Sequence, residues 1–304
     1  MKIGSLCTGY GGLDMAVEAY FNAETIWCAE FDKHASSLIK QRFGIPNYKD
    51  IKSIDWSLLE PIDILTAGYP CQPFSHAGDR KGLEDERHIF PYILEAISVL
   101  RPRYVILENV RGHLSLGLKE VLKGLTDIGY DARWEIVRAS DVGAPHQRAR
   151  LFIIAYPTSN RCQDQLCCSQ SSQPINCITT DTNSQPCSQS RRADRGLSAK
   201  SEGLRDGQNK RETGSKYRSS SQMAQQELPN TLDDLGRLSP IFVEYMMGLP
   251  KGWVTDLRLS RTQQLKMLGN GVVPQQAYHA LKTICDLIHI PHIEIMGKAT
   301  HEHI

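Results

Sequence analysis

The chain has 304 residues, enough for two domains at roughly 150 residues each. It carries 35 basic and 34 acidic side chains, a net charge of +1, and its 40% hydrophobic and 23% charged composition excludes a disordered or fibrous class. No apolar run approaches the roughly 20 residues needed to span a bilayer. No signal peptide is visible at Met1-Lys2-Ile3-Gly4-Ser5-Leu6, so the nine cysteines are expected to stay reduced.

Strand-like and helix-like patterns alternate through residues 1–157. Ile3 to Cys7 reads as a buried strand, broken by Gly9-Tyr10-Gly11-Gly12. Leu13, Ala16, Val17 and Tyr20 then recur at helical spacing. Thr25 to Ala29, Ile62 to Ala67, Tyr104 to Leu107, Arg133 to Val137 and Arg150 to Ala155 read as strands. His34 to Gln41, Phe90 to Leu100 and Leu116 to Ile128 read as helices. This alternation predicts an α/β fold with a mostly parallel sheet. The pattern stops near Pro157. Residues 159–227 hold 13 Ser and 10 Gln but only six Leu, Ile and Met, too few apolar side chains to bury much core. Five cysteines fall there, at positions 162, 167, 168, 177 and 187, without a paired CxxC spacing, so no metal site is expected. Order returns at Ile241 to Gly248, and a last helix is expected over Gln275 to Ile288. Cys28 and Cys285 are read as packing.

The near-zero net charge hides an asymmetry. Residues 1–100 hold 9 basic and 14 acidic side chains, residues 101–268 hold 24 and 17, and residues 269–304 hold 2 and 3. A polyanion would be attracted by the middle of the chain and repelled by its start. On charge alone, scatter among solvated faces is the better reading, since blocks of like charge are absent.

Five motifs sit where an α/β sheet does chemistry, at the carboxyl ends of its strands. Cys7-Thr8-Gly9-Tyr10-Gly11-Gly12 ends a strand and opens a helix, and its glycines let a backbone approach a ligand. Glu30, at the end of the next strand, is placed to accept both ribose hydroxyls of an adenosine-containing ligand. Gly68-Tyr69-Pro70-Cys71-Gln72 puts a cysteine at a strand end, where a thiolate is reactive. Glu108-Asn109-Val110 follows the strand Tyr104 to Leu107, and a carboxyl there can act as an acid if burial raises its pKa. In His146-Gln147-Arg148-Ala149-Arg150 the two arginines are expected on one face. Leu268-Gly269-Asn270-Gly271-Val272-Val273-Pro274 reads as a turn feeding the last helix.

In this order the motifs resemble the DNA (cytosine-5) methyltransferase family, of bacterial or phage type, over residues 1–157 and about 237–288. The resemblance implies a Rossmann-like, S-adenosylmethionine-dependent fold with helices on both sheet faces and a smaller irregular target-recognition domain. The catalytic domain would comprise 1–157 with 262–290, the recognition domain 158–261 (loop-rich over 158–227), and the tail 291–304. S-adenosylmethionine would lie over Cys7, Thr8, Gly9, Gly11, Gly12 and Leu13, with Glu30 on the ribose and Phe31 beside it. Asp50 and Ile51 match the adenine-binding pair, Gly68 and Pro70 border the donor, and Asn270 and Val272 close the pocket. Cys71 is implied as the nucleophile, Glu108 as the acid that engages the base, and Arg150 as the partner of the base carbonyl. Pro70, Gln72, Asn109 and Arg148 complete the catalytic set.

Ser75 to His88, with Gly78, Gly82, Asp79, Arg80, Lys81 and Arg87, resembles the family's mobile loop. Two positions depart from the family pattern. Cys7 stands where an aromatic residue is common and offers less area to adenine, and His146 stands where glutamine is usual. The implied partner is double-stranded DNA in the cytoplasm, of a bacterium or of a phage host. The protein would act as a monomer, alone or beside a cognate restriction endonuclease, and away from any membrane. An RNA cytosine methyltransferase and a non-catalytic DNA-binding relative are the alternatives. The long basic segment favours duplex DNA over the first, and Cys71, Glu108 and Arg150 together argue against the second.

Overall fold

Short apolar runs alternate with helical spacing from the first residues, and each run becomes a strand of one sheet. The computed structural model describes residues 1–70, 89–158, 216–219 and 227–288. The chain divides into two units, Met1–Asn160 with Ser215–Ile304, and Arg161–Gly214. Everything below belongs to the first unit. Cys71, Gln72, the Ser75 to His88 stretch, most of the segment 159–227 and the tail 291–304 lie outside the described residues.

The strands are β1 (Lys2–Leu6), β2 (Glu24–Ala29), β3 (Ile64–Gly68), β4 (Tyr104–Val110), β5 (Tyr130–Val137) and β6 (Arg150–Pro157), in the sheet order β2-β1-β3-β4-β6-β5. β1 to β4 pair in parallel, while β6 lies antiparallel between β4 and β5. The sheet is therefore mostly parallel, with one reversed strand. From β1 the chain moves first to one side, to β2, and then to the other, to β3. That reversal leaves a crevice at the carboxyl ends of β1 and β3, where α/β sheets bind ligands.

The helices are α1 (Gly12–Phe21), α2 (Lys33–Arg42), α3 (Phe90–Leu100), α4 (His113–Leu116), α5 (Leu118–Asp127), α6 (Pro240–Met246), α7 (Arg261–Asn270) and α8 (Pro274–Leu287). Strand side chains alternate between two faces, and helices cover both. On one face Ile3, Ile64, Ile106 and Ile154 pack with Val17 and Phe21 of α1 and with Leu281 and Ile284 of α8. On the other, Leu65, Val105, Leu107 and Ile153 pack with Ile93 and Ile97 of α3 and with Val121 and Leu125 of α5. Each such fully buried aliphatic side chain contributes roughly 1.5–3 kcal/mol. Cys28 and Cys285 are buried and free, as their reading as packing residues requires.

A third core holds the later chain against the first. Met247, Leu249, Trp253, Val254, Met267 and Leu268 pack with Tyr10, Met15 and Leu38. The helices here start where side chains satisfy their first amides. Asp32 accepts from His34 and Ala35 to cap α2, and Ser239 accepts from Phe242 to cap α6, with Pro240 in its first turn. The returning segment at Lys216 also docks on this unit. Lys216 Nζ lies 3.4 Å from Glu18 and 4.0 Å from the centre of the Phe43 ring, and Tyr217 stacks on Tyr278.

Several elements differ from the sequence expectation: the helix expected over Leu116 to Ile128 is α4 and α5, broken at Gly117, the strand expected over Arg133 to Val137 begins at Tyr130, and the strand expected over Ile62 to Ala67 spans Ile64–Gly68. β4 continues through Glu108 and Asn109 to Val110 instead of ending at Leu107, because its last residues pair with Arg150, Leu151 and Phe152 of β6. Leu268 to Asn270 is not turn but the end of α7, a helix whose start is fixed by a capping box between Ser260 and Gln263. Among the described residues, no helix is long and apolar enough to cross a membrane, and no group of three or more His, Cys, Asp or Glu is placed to hold a metal ion.

Candidate active site

The glycine turn leaves β1 through left-handed backbone at Cys7 (φ 53°), Gly9 (φ 57°) and Gly11 (φ 82°). Two glycines are required by close approach. A Cβ on Gly11 would lie 2.3 Å from Cζ of Phe43, and one on Gly12 would lie 2.1 Å from the carbonyl oxygen of Val272. The turn is fixed by Glu30, which is 8% exposed. Its Oε2 accepts from the Gly9 amide and its Oε1 from the Asp32 amide, both at 2.8 Å. Asn47 and Ser36 bond the Glu30 main chain. Burial raises the Glu30 pKa against the pull of these amides. Phe31 beside it is 78% exposed. Asp50 caps a short 3-10 turn by accepting from Lys52, and Ile51 in that turn is buried.

A cleft opens at the β1/β3 crevice. Of the cofactor residues expected from sequence, Cys7, Thr8, Gly9, Leu13, Gly68, Asn270 and Val272 line it. Gly11, Gly12, Glu30, Phe31, Asp50, Ile51 and Pro70 do not, although Glu30 reaches its rim through Gly9. Burial and the nearby Glu30 charge push the Cys7 thiol up to about 12. Ser5, Asp14 and Thr66 also line the cleft and were not singled out in the sequence.

The strand ends beside the cleft hold an acid and a base partner. Arg150 Nε lies 3.0 Å from Glu108 Oε1, and both side chains are largely buried. Burial pushes the Glu108 carboxyl up to about 7, against the opposing pull of Arg150 and Arg148. Glu108 is the register partner of Gly68, the last residue of β3. A Cβ on Gly68 would stand 3.6 Å from both Glu108 Oε2 and the Cys7 carbonyl oxygen, so this position joins the cofactor turn to the acid. Asn109 donates from Nδ2 to the Tyr69 carbonyl at 3.2 Å, which anchors the chain just before the exposed Pro70. Tyr69 is also held from its hydroxyl end, 3.0 Å from Nε2 of the buried His113.

A family model for C-5 cytosine-specific DNA methylase matches residues 1–226. The chain belongs to this family. It is 34% identical over 160 residues to the Type II methyltransferase M.NgoBI of Neisseria gonorrhoeae, covering 51% of this chain and 50% of that one. It is 33% identical over 161 residues to the Type II methyltransferase M.HhaI of Haemophilus parahaemolyticus, covering 51% and 49%. The chain thus spans about half the length of the curated relatives it matches. The fold is that of the S. pombe Dnmt2 methyltransferase (TM-score 0.61, 16% identity, 95% of this chain and 100% of that one) and of the Entamoeba histolytica methyltransferase EhMeth (TM-score 0.59, 16% identity, 95% and 98%).

In this member of the family the cleft is completed from the other end of the chain. Arg148 does not share the orientation of Arg150. Its backbone (φ 33°) lies outside the strand, so the alternation expected of residues two apart does not apply. Its guanidinium instead donates to the carbonyls of Gly269 at 2.8 Å and Gly271 at 2.6 Å, the residues flanking Asn270. Gln276 Nε2 bonds the Arg148 and Val137 carbonyls, and His146 Nε2 lies 2.8 Å from the Met246 carbonyl.

Tyr10, fully buried, donates to the Val272 carbonyl at 2.7 Å and accepts through its own carbonyl from Trp253 Nε1 at 2.9 Å. The Trp253 loop is organised in turn by the buried Glu244 carboxylate, which accepts from the amides of Gly252, Val254 and Thr255 and from the Thr255 hydroxyl. Sequence reading missed Tyr10, Trp253 and Glu244. The signal available for Glu244 was a lone acid among the apolar residues Ile241 to Met247.

Proposed function

We propose that this protein is a DNA (cytosine-5) methyltransferase, using S-adenosylmethionine to methylate a cytosine flipped out of duplex DNA through a covalent Cys71 adduct. The observation that carries this reading is the buried Glu108 carboxyl, raised to about 7, with Arg150 3.0 Å away and Glu108 paired in register with Gly68, three positions before Cys71 in the sequence.

The residues present fit the donor. A glycine turn admits close approach, Glu30 stands at the cleft rim, and the cleft lining holds a buried carboxylate oxygen of Asp14 with no hydrogen-bond partner among the described residues. The Glu30 side of the turn would hold the ribose, with Phe31, Asp50 and Ile51 toward the base. When bound, the donor supplies an electrophilic methyl group.

The protein's own groups make cytosine able to take it. The Cys71 thiolate adds to carbon 6, which turns the ring into an enamine with electron density at carbon 5. Glu108 delivers a hydrogen bond or proton to ring nitrogen 3, and Arg150 donates to the carbonyl oxygen, so the charge raised by addition is stabilised where it forms. The Pro70 carbonyl would accept from the exocyclic amine. After methylation carbon 5 loses its proton and β-elimination frees Cys71. Flipping the base costs a few kcal/mol.

Sequence reading is assigned to residues 158–261 on the strength of their basic, polar composition. The enzyme would act on DNA in the cytoplasm as a monomer, alone or beside a restriction endonuclease.

The test is transfer of labelled methyl from S-adenosylmethionine to duplex DNA of high sequence diversity, with RNA in parallel. Label on DNA cytosine that Cys71→Ser abolishes is the expected result. Absence of transfer to any DNA would overturn the reading, and label on RNA alone would replace the substrate.

A further inference from the structure

Asp14 is an acid on the apolar face of α1, and the proposed chemistry leaves it unused. It is 1% exposed and lies in the cleft lining, with Ser5, Thr8, Thr66 and Asn270 as the polar groups around it. The Thr66 hydroxyl donates to Asp14 Oδ1 at 2.5 Å. The Ser5 hydroxyl, 2.8 Å from Thr8 Oγ1 with either oxygen able to donate, also pulls on the Asp14 carboxyl. Among the described residues Asp14 Oδ2 has no hydrogen-bond partner. Among the described residues no Lys, Arg or His lines the cleft. A buried carboxylate oxygen left this way is costly, and a cationic donor entering the cleft would remove the cost.

The position in the sheet says which cation. Glu30, the ribose candidate, directly follows β2, and Glu108, the acid for the base, lies near the end of β4. Asp14 faces the β1/β3 crevice between them, where the amino-acid part of the donor falls if its adenosine lies toward β2. That part offers two positive groups, a sulfonium with no N–H to give and an α-ammonium with three donors. Oδ2 lacks a donor. We infer that Asp14 binds the α-ammonium of the methyl donor's methionine moiety, with Thr66 holding the carboxylate in place. This rests on the proposed use of S-adenosylmethionine and adds a specificity residue to it. Burial raises the Asp14 carboxyl to about 6, against the Thr66 and Ser5 hydroxyls, which is the condition a bound cation would relieve.

Calorimetric binding to the full chain tests this without relying on turnover. In the unaltered protein, S-adenosylhomocysteine should bind roughly ten- to a hundredfold more tightly than its deaminated analogue, which keeps the carboxylate. In Asp14→Asn, S-adenosylmethionine and S-adenosylhomocysteine should weaken by a similar factor, while 5′-methylthioadenosine, which lacks the amino-acid part, stays within about twofold. Equal affinity for S-adenosylhomocysteine and its deaminated analogue would overturn the assignment, and that arm needs no variant to fold. A loss confined to S-adenosylmethionine would move Asp14 to the sulfonium, and an equal loss of 5′-methylthioadenosine would make it structural. If the unaltered protein binds neither S-adenosylmethionine nor S-adenosylhomocysteine, the donor reading itself fails, an outcome distinct from the other three.

Discussion

The Tyr10 hydroxyl donates to the carbonyl oxygen of Val272 across 2.7 Å, between residues 262 positions apart. The bond ties the glycine turn after β1 to the turn before α8, and both turns line the cleft. Tyr10→Phe keeps the ring that packs against Gly271 and leaves the Val272 carbonyl unpaired in a buried site. A cost of about 1–3 kcal/mol to stability is expected, with weaker donor binding. Denaturant midpoints together with a binding isotherm check this, and a Phe variant as stable as the unaltered protein would show that the bond does not hold the turns together.

Gly12 and Gly269 give a contrast in one experiment. A Cβ at Gly12 meets backbone, the Val272 oxygen at 2.1 Å, whereas one at Gly269 in α7 meets nothing within 4 Å. Gly12→Ala should therefore displace the Val272 turn, cost about 1–3 kcal/mol and abolish measurable donor binding. Gly269→Ala should stabilise the protein by about 0.5–1 kcal/mol, the ordinary helix gain, with binding retained. Thermal melts with and without S-adenosylhomocysteine separate the two.

Glu108 makes stability depend on pH in a stated direction. Its carboxyl is raised by burial from 4.5 to about 7, so between those values the folded state holds a proton that the unfolded chain has lost. Its contribution is fully present below pH 4.5 and is lost as pH rises through 7. Asp14, raised from 3.8 to about 6, acts in the same sense at lower pH. Glu108→Gln removes the first effect. From pH 5 to pH 8 the variant should gain on the unaltered protein by up to roughly 3 kcal/mol, at about 1.4 kcal/mol per pKa unit. Parallel unfolding curves across that range, with a constant difference between the proteins, would contradict a raised carboxyl.

Arg148 holds two carbonyls on either side of Asn270 with one nitrogen of its planar guanidinium. Lysine has the charge, but its flexible stem does not fix a nitrogen between the two carbonyls as the planar guanidinium does. Arg148→Lys should weaken donor binding by roughly tenfold while the Glu108–Arg150 pair keeps the raised Glu108 titration. A titration that falls toward the usual carboxylate value together with binding would place Arg148 in the acid pair instead.

Local signals carried much of the fold. The helix Phe90–Leu100 and the strand positions Ile3, Ile64 and Arg150 follow from apolar runs and spacing, which each segment states by itself. What escaped was non-local. β4 reaches Val110 because β6 pairs with it, and β6 is reversed, facts that depend on a partner some 40 residues away. The start of α7 was legible in principle, since Ser260 and Gln263 have the spacing of a capping box, but its polar face hid it. In the site, motifs pointed to Glu30, Glu108 and Arg150. Tyr10 and Asp14 stood inside or beside the same glycine motif and read as spacers, because their roles depend on Val272 and Thr66, which only folding brings near.

The Tyr10–Val272 bond also bears on when the protein becomes competent. Synthesis runs at roughly 5–20 residues per second, so the 262 positions between the two residues separate their emergence from the ribosome by about 10–50 seconds. During that interval the nascent chain gains its first strands and, later, Glu108 and Arg150, but until Val272 appears it has only half a cleft. If the cleft takes the proposed donor, its capture would be reserved for chains synthesised past Val272.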